Sequence, residues 1–308
     1  MSDEEVIRMR QDRKPRLFGL FGYPLSHTLS PAMQEAGFGF YGWKDHYLAF
    51  ELDPAHFTQA MKGLPGFLLD GFNVTVPYKE RVIAFLGCLT PKARLIGAVN
   101  TVYRRGGQWI GTNTDIDGFL RSLEQDGDFR PRAKDALLLG AGGAARAVAC
   151  GLASRGVRTL TLTDMIPEKA RALASHFKRH FPKTRFAAVP CCESELRAAL
   201  RGVHLVVNAT TVGLRPGDPA LIDPAWIPRA APGRRMFFYD LIYHPSKTAF
   251  LKTAAAKGHR TSNGLGMLLY QGTAAFEHWT GQKAPVAVMR AALLKALKER
   301  EAPRAVKR

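Results

Sequence analysis

The chain has 308 residues, 46% of them hydrophobic, enough apolar side chain for about two domains with cores of their own. No stretch reaches the roughly 18 uninterrupted apolar residues of a membrane helix, and the charged opening MSDEEVIRMRQDRKPR has no apolar core of a secretory signal; cytoplasmic localisation without a membrane partner is expected. The net charge of +18 is spread along the chain with no nucleic-acid-binding motif, so it reads as a basic surface that attracts small anions, not a nucleic acid.

Residues 1–15 are expected to form a disordered arm and 303–308 a basic tail. Cys88, Cys150, Cys191 and Cys192 have neither the spacing of a disulfide framework nor that of a zinc site, so no metal is expected. From Arg16 the chain alternates strands and helices. A strand over 17–21 runs into GYPLSHTLSPAM, where Ser30 is the expected N-cap of a helix with Pro31 at its first position. Thr28 and Ser30 also put two hydroxyls beside a helix N-terminus, which suits a carboxylate. A strand over 46–52 and a helix from Pro54 follow. GFNVTVPYKE then alternates, with Asn73 and Thr75 on one strand face, and Pro77 closes it. Lys79 comes at the expected start of the next helix, where a cation opposes the helix dipole. A helix from Pro91 leads to a hairpin, strands 98–103 and 108–112 around Gly106-Gly107. Asn100 lies on its first strand and Asp115 at the end of its second. Asp115 and Asp117 precede a helix over 118–125, and either suits its cap.

The stretch DALLLGAGGAARAVACGLASRGVRTLTLTD, Asp135 to Asp164, reads as strand 136–139, glycine turn, helix 144–152 and strand 159–163. This is a βαβ unit with the features of dinucleotide binding. Gly140, Gly142 and Gly143 permit a tight turn and close approach to a pyrophosphate at a helix N-terminus. Asp164, about 20 residues on, is placed to accept from ribose hydroxyls. The alternative is a glycine-rich turn that binds nothing. The alternation continues with helix 167–180, strand 186–189, helix 193–200 and strands 205–208 and 236–240. Helices over 264–279 and 286–301 close the chain. Asn208 and Leu241 fall at carboxyl ends of strands, where parallel α/β sheets hold ligands. Two helices cannot bury their apolar faces alone, so they are expected to return to the first domain and leave a ligand cleft between domains. The expected division is 16–117 plus 265–302, a catalytic substrate domain, and 118–264, a Rossmann-type dinucleotide domain.

Taken together, GYPLSHTLSPAM, NVTVPYKE, IGAVNTV, GTNTDIDGF, GAGGAAR, NAT, DLIYHP and GLGMLLYQGTAAFEHWTG resemble the shikimate dehydrogenase family, which includes quinate/shikimate dehydrogenases, from Leu17 to about Leu297. The resemblance implies that Lys79 and Asp115 are the catalytic pair. It implies that Thr28 and Ser30 hold the substrate carboxylate and that Thr75, Asn100, Asp115 and Gln271 hold ring hydroxyls, with Tyr243 a further substrate contact. Gly140, Ala141, Gly142, Gly143 and Ala144 match the phosphate loop, and Leu241 and Gly264 match backbone contacts near the nicotinamide. The implied reaction is reversible NAD(P)-dependent oxidation of shikimate to 3-dehydroshikimate, a step toward chorismate and the aromatic amino acids. Alternatives are quinate oxidation or a catalytically silent ligand-binding member. A monomer or homodimer is expected. Oxidising the alcohol requires a base at hydrogen-bond distance from the hydroxyl. Lys79 and Asp115 are expected to act as one unit, the amine moving the proton and the carboxylate orienting it.

Departures from the family pattern shape the expectation. Gln34 stands where His is frequent and is assigned no role. Thr28 replaces the usual Ser, while Ser30, which is Thr in members that favour quinate, leans toward shikimate. Members that use NADP have Asn-Arg-Thr after the second Rossmann strand; this chain has Asp164-Met165-Ile166. A carboxylate there repels a 2′-phosphate and accepts from a free 2′-hydroxyl, so NAD is favoured. Lys169 and Arg171 keep NADP open.

Overall fold

The structure, a computed structural model, describes residues 13–26, 28–215 and 217–301. The expected basic tail lies outside the described residues, as does the arm up to residue 12. The chain forms two compact α/β units, which divide at Thr114/Asp115 and again at Met267/Leu268. Among the described residues no helix is long and apolar enough to cross a membrane, and no group of three His, Cys, Asp or Glu is placed to hold a metal.

The first unit is built on a six-stranded mixed sheet, in the order β2-β1-β3-β5-β6-β4. Its strands are β1 (Leu17–Gly22), β2 (His46–Glu51), β3 (Gly71–Val74), β4 (Cys88–Leu89), β5 (Thr101–Arg105) and β6 (Gln108–Thr112). β1 pairs parallel with β2 and β3, and β5 pairs antiparallel with β3 and β6. The β5–β6 connection is Gly106-Gly107, both at positive φ (57° and 78°), as a two-residue hairpin turn requires. Helices α1 (Ser30–Phe40), α2 (Phe57–Lys62) and α3 (Pro91–Ile96) belong to this unit. So does α10 (Val286–Glu301), which packs on α1. Helix α9 (Leu265–Thr280) brings the chain back from the second unit. It docks through Phe276 and Trp279. The first stacks on Phe38 at 5.5 Å, and the second stacks on Phe18 at 5.0 Å and donates from Nε1 to the Val102 carbonyl at 2.9 Å. Each aromatic pair contributes about 0.5–1.5 kcal/mol beyond the area it buries. This is how the last helices, which cannot bury an apolar face alone, find their partner.

The second unit carries a six-stranded, wholly parallel sheet in the order β12-β11-β10-β7-β8-β9. The strands are β7 (Asp135–Leu139), β8 (Thr159–Thr163), β9 (Arg185–Ala188), β10 (Leu205–Asn208), β11 (Phe237–Asp240) and β12 (Arg260–Ser262). Counting β7 as the first, this is the 3-2-1-4-5-6 order of doubly wound dinucleotide-binding sheets. Helices α4 (Asp115–Arg121), α5 (Gly143–Ser154), α6 (Pro167–Lys178), α7 (Glu193–Leu200) and α8 (Ala249–Ala256) belong to this unit. Consecutive residues Leu137, Leu138 and Leu139, Val206 and Val207, and Phe238 and Tyr239 are all buried, so both faces of these strands are covered, which explains their continuous apolar runs.

Several local expectations differ from the structure. Ser30 is not the N-cap of α1: Leu29 is, with no side-chain cap, because Thr28 Oγ1 accepts from the Ser30 N–H at 3.3 Å. The helix expected from Pro54 begins only at Phe57, since Asp53 Oδ1 accepts from Ala55 N at 2.8 Å and holds that stretch in a turn. β3 ends at Val74, so Thr75 lies just past it. Lys79 falls in a turn before a short 3₁₀ segment (Arg81–Phe85), so it faces no α-helix dipole. The strand expected from Ala98 starts at Thr101, because Val99 N donates to the Lys79 carbonyl at 2.7 Å instead of to a neighbouring strand. Asp115 is the first residue of α4, so that helix starts three residues earlier than expected. β4, α8 and β12 carried no clear sequence signal.

Candidate active site

In the first unit most of the side chains expected to be functional collect beyond the carboxyl ends of β1 and β3 and around the start of β5. Asn100 is buried, and its amide is held from several directions. Its Oδ1 accepts from Thr114 N at 2.7 Å and from Thr101 Oγ1 at 3.0 Å; its Nδ2 donates to Thr114 Oγ1 at 3.0 Å and to Gln271 Oε1 at 3.2 Å. Gln271 in turn donates from Nε2 to the Leu268 carbonyl at 2.9 Å. The structure therefore brings together two of the expected ring-hydroxyl residues, 171 positions apart, and fixes which amide end each presents.

Behind Asn100 runs a chain of polar groups with no motif of its own. Asn73 Nδ2 donates to the Asn100 carbonyl at 2.9 Å and to Thr101 Oγ1 at 3.0 Å, leaving its Oδ1 to accept from Tyr47 OH at 2.7 Å. Tyr47 is fully buried, which pushes its hydroxyl's pKa well up, and a hydrogen bond with the Ser30 side chain opposes that rise. Ser30, expected to hold the carboxylate, is thus tied through Tyr47 and Asn73 to Asn100, expected to hold a hydroxyl. Thr28 and Ser30 remain adjacent. Their loop is braced by Glu51, which accepts from Leu25 N at 2.7 Å, and by Arg300, which donates to the carbonyls of Ser26 (3.1 Å) and Thr28 (2.8 Å). Thr75 packs against the end of β1: a Cβ on Gly22 would lie 2.3 Å from its methyl. Lys79 is half-buried in the turn after β3. Gln34, given no role from sequence, is completely buried and donates to the Gly272 carbonyl at 2.9 Å, joining α1 to α9.

In the second unit the glycine turn sits between β7 and α5. Gly140 has φ +101°, a conformation other residues adopt only with strain, and its N–H donates to the Thr163 carbonyl at 2.8 Å. Gly142 is the N-cap of α5, with no side-chain cap, and a Cβ there would meet nothing within 4 Å. The first amides of α5 have no intrahelical acceptor, and the helix dipole favours an anion beside them. Uncrowded backbone at Gly142 beside such amides suits the pyrophosphate of a dinucleotide. Asp164, just past the end of β8, accepts from two backbone amides: Oδ2 from Ala141 N of the glycine turn at 2.8 Å and Oδ1 from Ile166 N at 2.9 Å. It therefore links the glycine turn to the end of β8. Met165 after it is 82% exposed and uncharged. Leu241 and Gly264 are in close apposition: a Cβ on Gly264 would lie 2.0 Å from the Leu241 carbonyl oxygen. Tyr243 follows Leu241 in the turn after β11, half-buried. Asp115 is buried at the start of α4. Sequence reasoning missed Tyr47, Thr101 and Thr114, and it left Asp240 without a role; each is an ordinary strand or loop residue until its neighbours are known.

Family models match in two places: the shikimate dehydrogenase substrate binding domain over residues 20–102 and the shikimate 5′-dehydrogenase C-terminal domain over 264–294. The chain is 43% identical over 286 residues to the shikimate dehydrogenase (NADP(+)) of Desulforamulus reducens, covering 93% of this chain and 97% of that one. Among solved structures, the shikimate 5-dehydrogenase of Thermus thermophilus in complex with NADP(H) and shikimate is 35% identical, with a TM-score of 0.78, covering 92% of this chain and 100% of that chain. The Listeria monocytogenes enzyme in complex with shikimate and NAD is 31% identical, with a TM-score of 0.80, covering 92% and 98%. By identity sustained over nearly its whole length, and by a fold shared with these enzymes, the chain belongs to the shikimate dehydrogenase family.

Proposed function

We propose that the protein interconverts shikimate and 3-dehydroshikimate by reversible hydride transfer, using NAD in preference to NADP. The observation that carries the reading is the fixed Asn100–Gln271 pair, continuous through Asn73 and Tyr47 with Ser30. A rigid, pre-oriented set of amides and hydroxyls suits a small polyhydroxy acid, because little ordering remains to be done on binding. Thr28 and Ser30 hold the carboxylate, Thr75, Asn100 and Gln271 the ring hydroxyls, and Tyr243 supplies a further contact. A nicotinamide dinucleotide, held by the glycine turn at Gly140 to Ala144, would supply the hydride acceptor when bound. Lys79 takes the hydroxyl proton and Asp115 orients the amine and the substrate oxygen. The charge pattern at 164–166 supports NAD: a fixed carboxylate and an exposed methionine stand where a 2′-phosphate needs a cation. On this reading the chain would differ in cofactor from the relatives named for NADP(+).

The experiment is a four-way assay, shikimate and quinate each with NAD and NADP, on wild type and on Lys79→Ala. Shikimate with NAD is expected to give the highest kcat/KM, and Lys79→Ala to lower kcat far more than it raises KM. A loss confined to KM would reduce Lys79 to a binding residue. A tenfold or larger preference for NADP would overturn the cofactor reading, and faster turnover of quinate would overturn the substrate.

A further inference from the structure

Asp240 closes β11, where its register neighbour on β10 is Asn208, and Asn208 in turn pairs with Leu139 of β7. Three carboxyl ends of the sheet thus lie side by side at the level of the glycine turn. Asp240 is wholly inaccessible to solvent, yet none of its hydrogen-bond partners is a cation. Its Oδ1 accepts from Asn208 Nδ2 at 2.9 Å and from Ile242 N at 3.0 Å, and its Oδ2 accepts from Thr248 Oγ1 at 2.7 Å. Burial pushes its carboxyl up to about 6, a cost that a neutral side chain would avoid.

What these bonds join is specific. Asn208 spends the rest of its amide on its own turn, accepting from Thr210 N at 2.9 Å and Thr210 Oγ1 at 2.7 Å and donating to the Val212 carbonyl at 3.2 Å. That turn abuts the glycine turn: a Cβ on Gly140 would lie 3.0 Å from the Ala209 carbonyl oxygen and 3.1 Å from the Thr210 methyl. On the other side, Ile242 accepts from Gly264 N at 3.1 Å, beside the Leu241–Gly264 apposition. A single carboxylate therefore connects the backbone read as facing the pyrophosphate with the backbone read as facing the nicotinamide.

We propose that Asp240 is a positioning residue for the dinucleotide: with Asn208 and Thr248 it sets the spacing between the turn at Gly140 and the strand end at Leu241 and Gly264. The proposal rests on the dinucleotide reading of this unit. A rigid two-point spacing matters because the two ends of one ligand must be met at once, and a misfit of about 1 Å at the reacting end can cost on the order of 100-fold.

The test measures the dissociation constant of the full-length protein for NADH, and for NADPH, by fluorescence titration at a temperature well below the melting point, with Tm recorded in parallel. Asp240→Ala is expected to raise the dissociation constant at least tenfold, while Asp240→Asn, which keeps an acceptor for Asn208 and Ile242, restores it to within about threefold of wild type. Should Asp240→Ala fail to fold, Thr248→Val and Thr248→Ser decide the matter. The first lacks the hydroxyl and is expected to bind at least fivefold more weakly; the second keeps it and is expected to bind as wild type does. Lowered Tm with unchanged affinity in the folded variants would make Asp240 merely structural and overturn the proposal alone. No binding of either dinucleotide by wild type would overturn the reading of the unit itself.

Discussion

Replacing Gly142 by alanine separates folding from cofactor binding at one position. Gly142 has φ −80° and ψ −172°, extended backbone that alanine adopts freely, and an added Cβ meets no protein atom within 4 Å. Alanine is a poorer N-cap than glycine by up to about 1 kcal/mol, but it restricts the unfolded chain and recovers about 0.4–1 kcal/mol. Stability should therefore change by less than about 1 kcal/mol. On the dinucleotide reading, the backbone at this glycine is where the pyrophosphate approaches closely, and a methyl there stands in its way. Losing one charge-assisted hydrogen bond there costs about 1.5–3 kcal/mol, which corresponds to roughly 10- to 100-fold in dinucleotide affinity. The assay is urea unfolding together with KM for the dinucleotide at saturating acid. Gly140→Ala is the contrasting variant. Its φ of +101° and the Ala209 carbonyl 3.0 Å from the new Cβ predict loss of stability as well as of binding. A folded Gly142→Ala enzyme whose dinucleotide KM shifts by less than about threefold would refute the assignment of the turn to the pyrophosphate.

Asp240 makes stability depend on pH with a definite sign. Its folded carboxyl lies near 6, raised chiefly by burial and partly offset by its bonds to Thr248, Ile242 and Asn208, against an ordinary value of 3.8. Between those values the folded state holds a proton that the unfolded chain has released, so stability falls as pH rises through this window and levels off above it. The span corresponds to about 3 kcal/mol. The difference in unfolding free energy between wild type and Asp240→Asn should change by that order between pH 4 and 7; a difference independent of pH would contradict it. The cofactor reading has its own reversal. Asp164→Asn combined with Met165→Arg should move the NADP-to-NAD ratio of kcat/KM toward NADP by at least tenfold, about 1.4 kcal/mol. An unchanged ratio would place discrimination elsewhere.

The order of elements in the second unit was readable because its signals are local. The strands at 159–163 and 205–208 and the helix at 193–200 have the expected bounds, since apolar runs and periodic faces are properties of neighbouring residues. β12, of three residues, and β4, of two, have no such run and exist only because an adjacent strand offers a partner. Ser30 shows the limit within a motif. Its sequence context predicts a cap, but Thr28 takes its N–H, and its side chain is left for Tyr47.

From sequence alone one could read the glycine turn, the strand-end positions of Asn208 and Leu241 and the uncharged step after Asp164. Each depends on residue type at short spacing, where covalent geometry limits what the backbone can do. The tertiary structure decided which polar groups meet: Asn100 with Gln271, Tyr47 with Asn73, and Asp240 with Asn208 and Thr248. Hydrogen bonds are short-ranged and directional, so their partners are defined only once strands distant in the chain have become neighbours in a sheet.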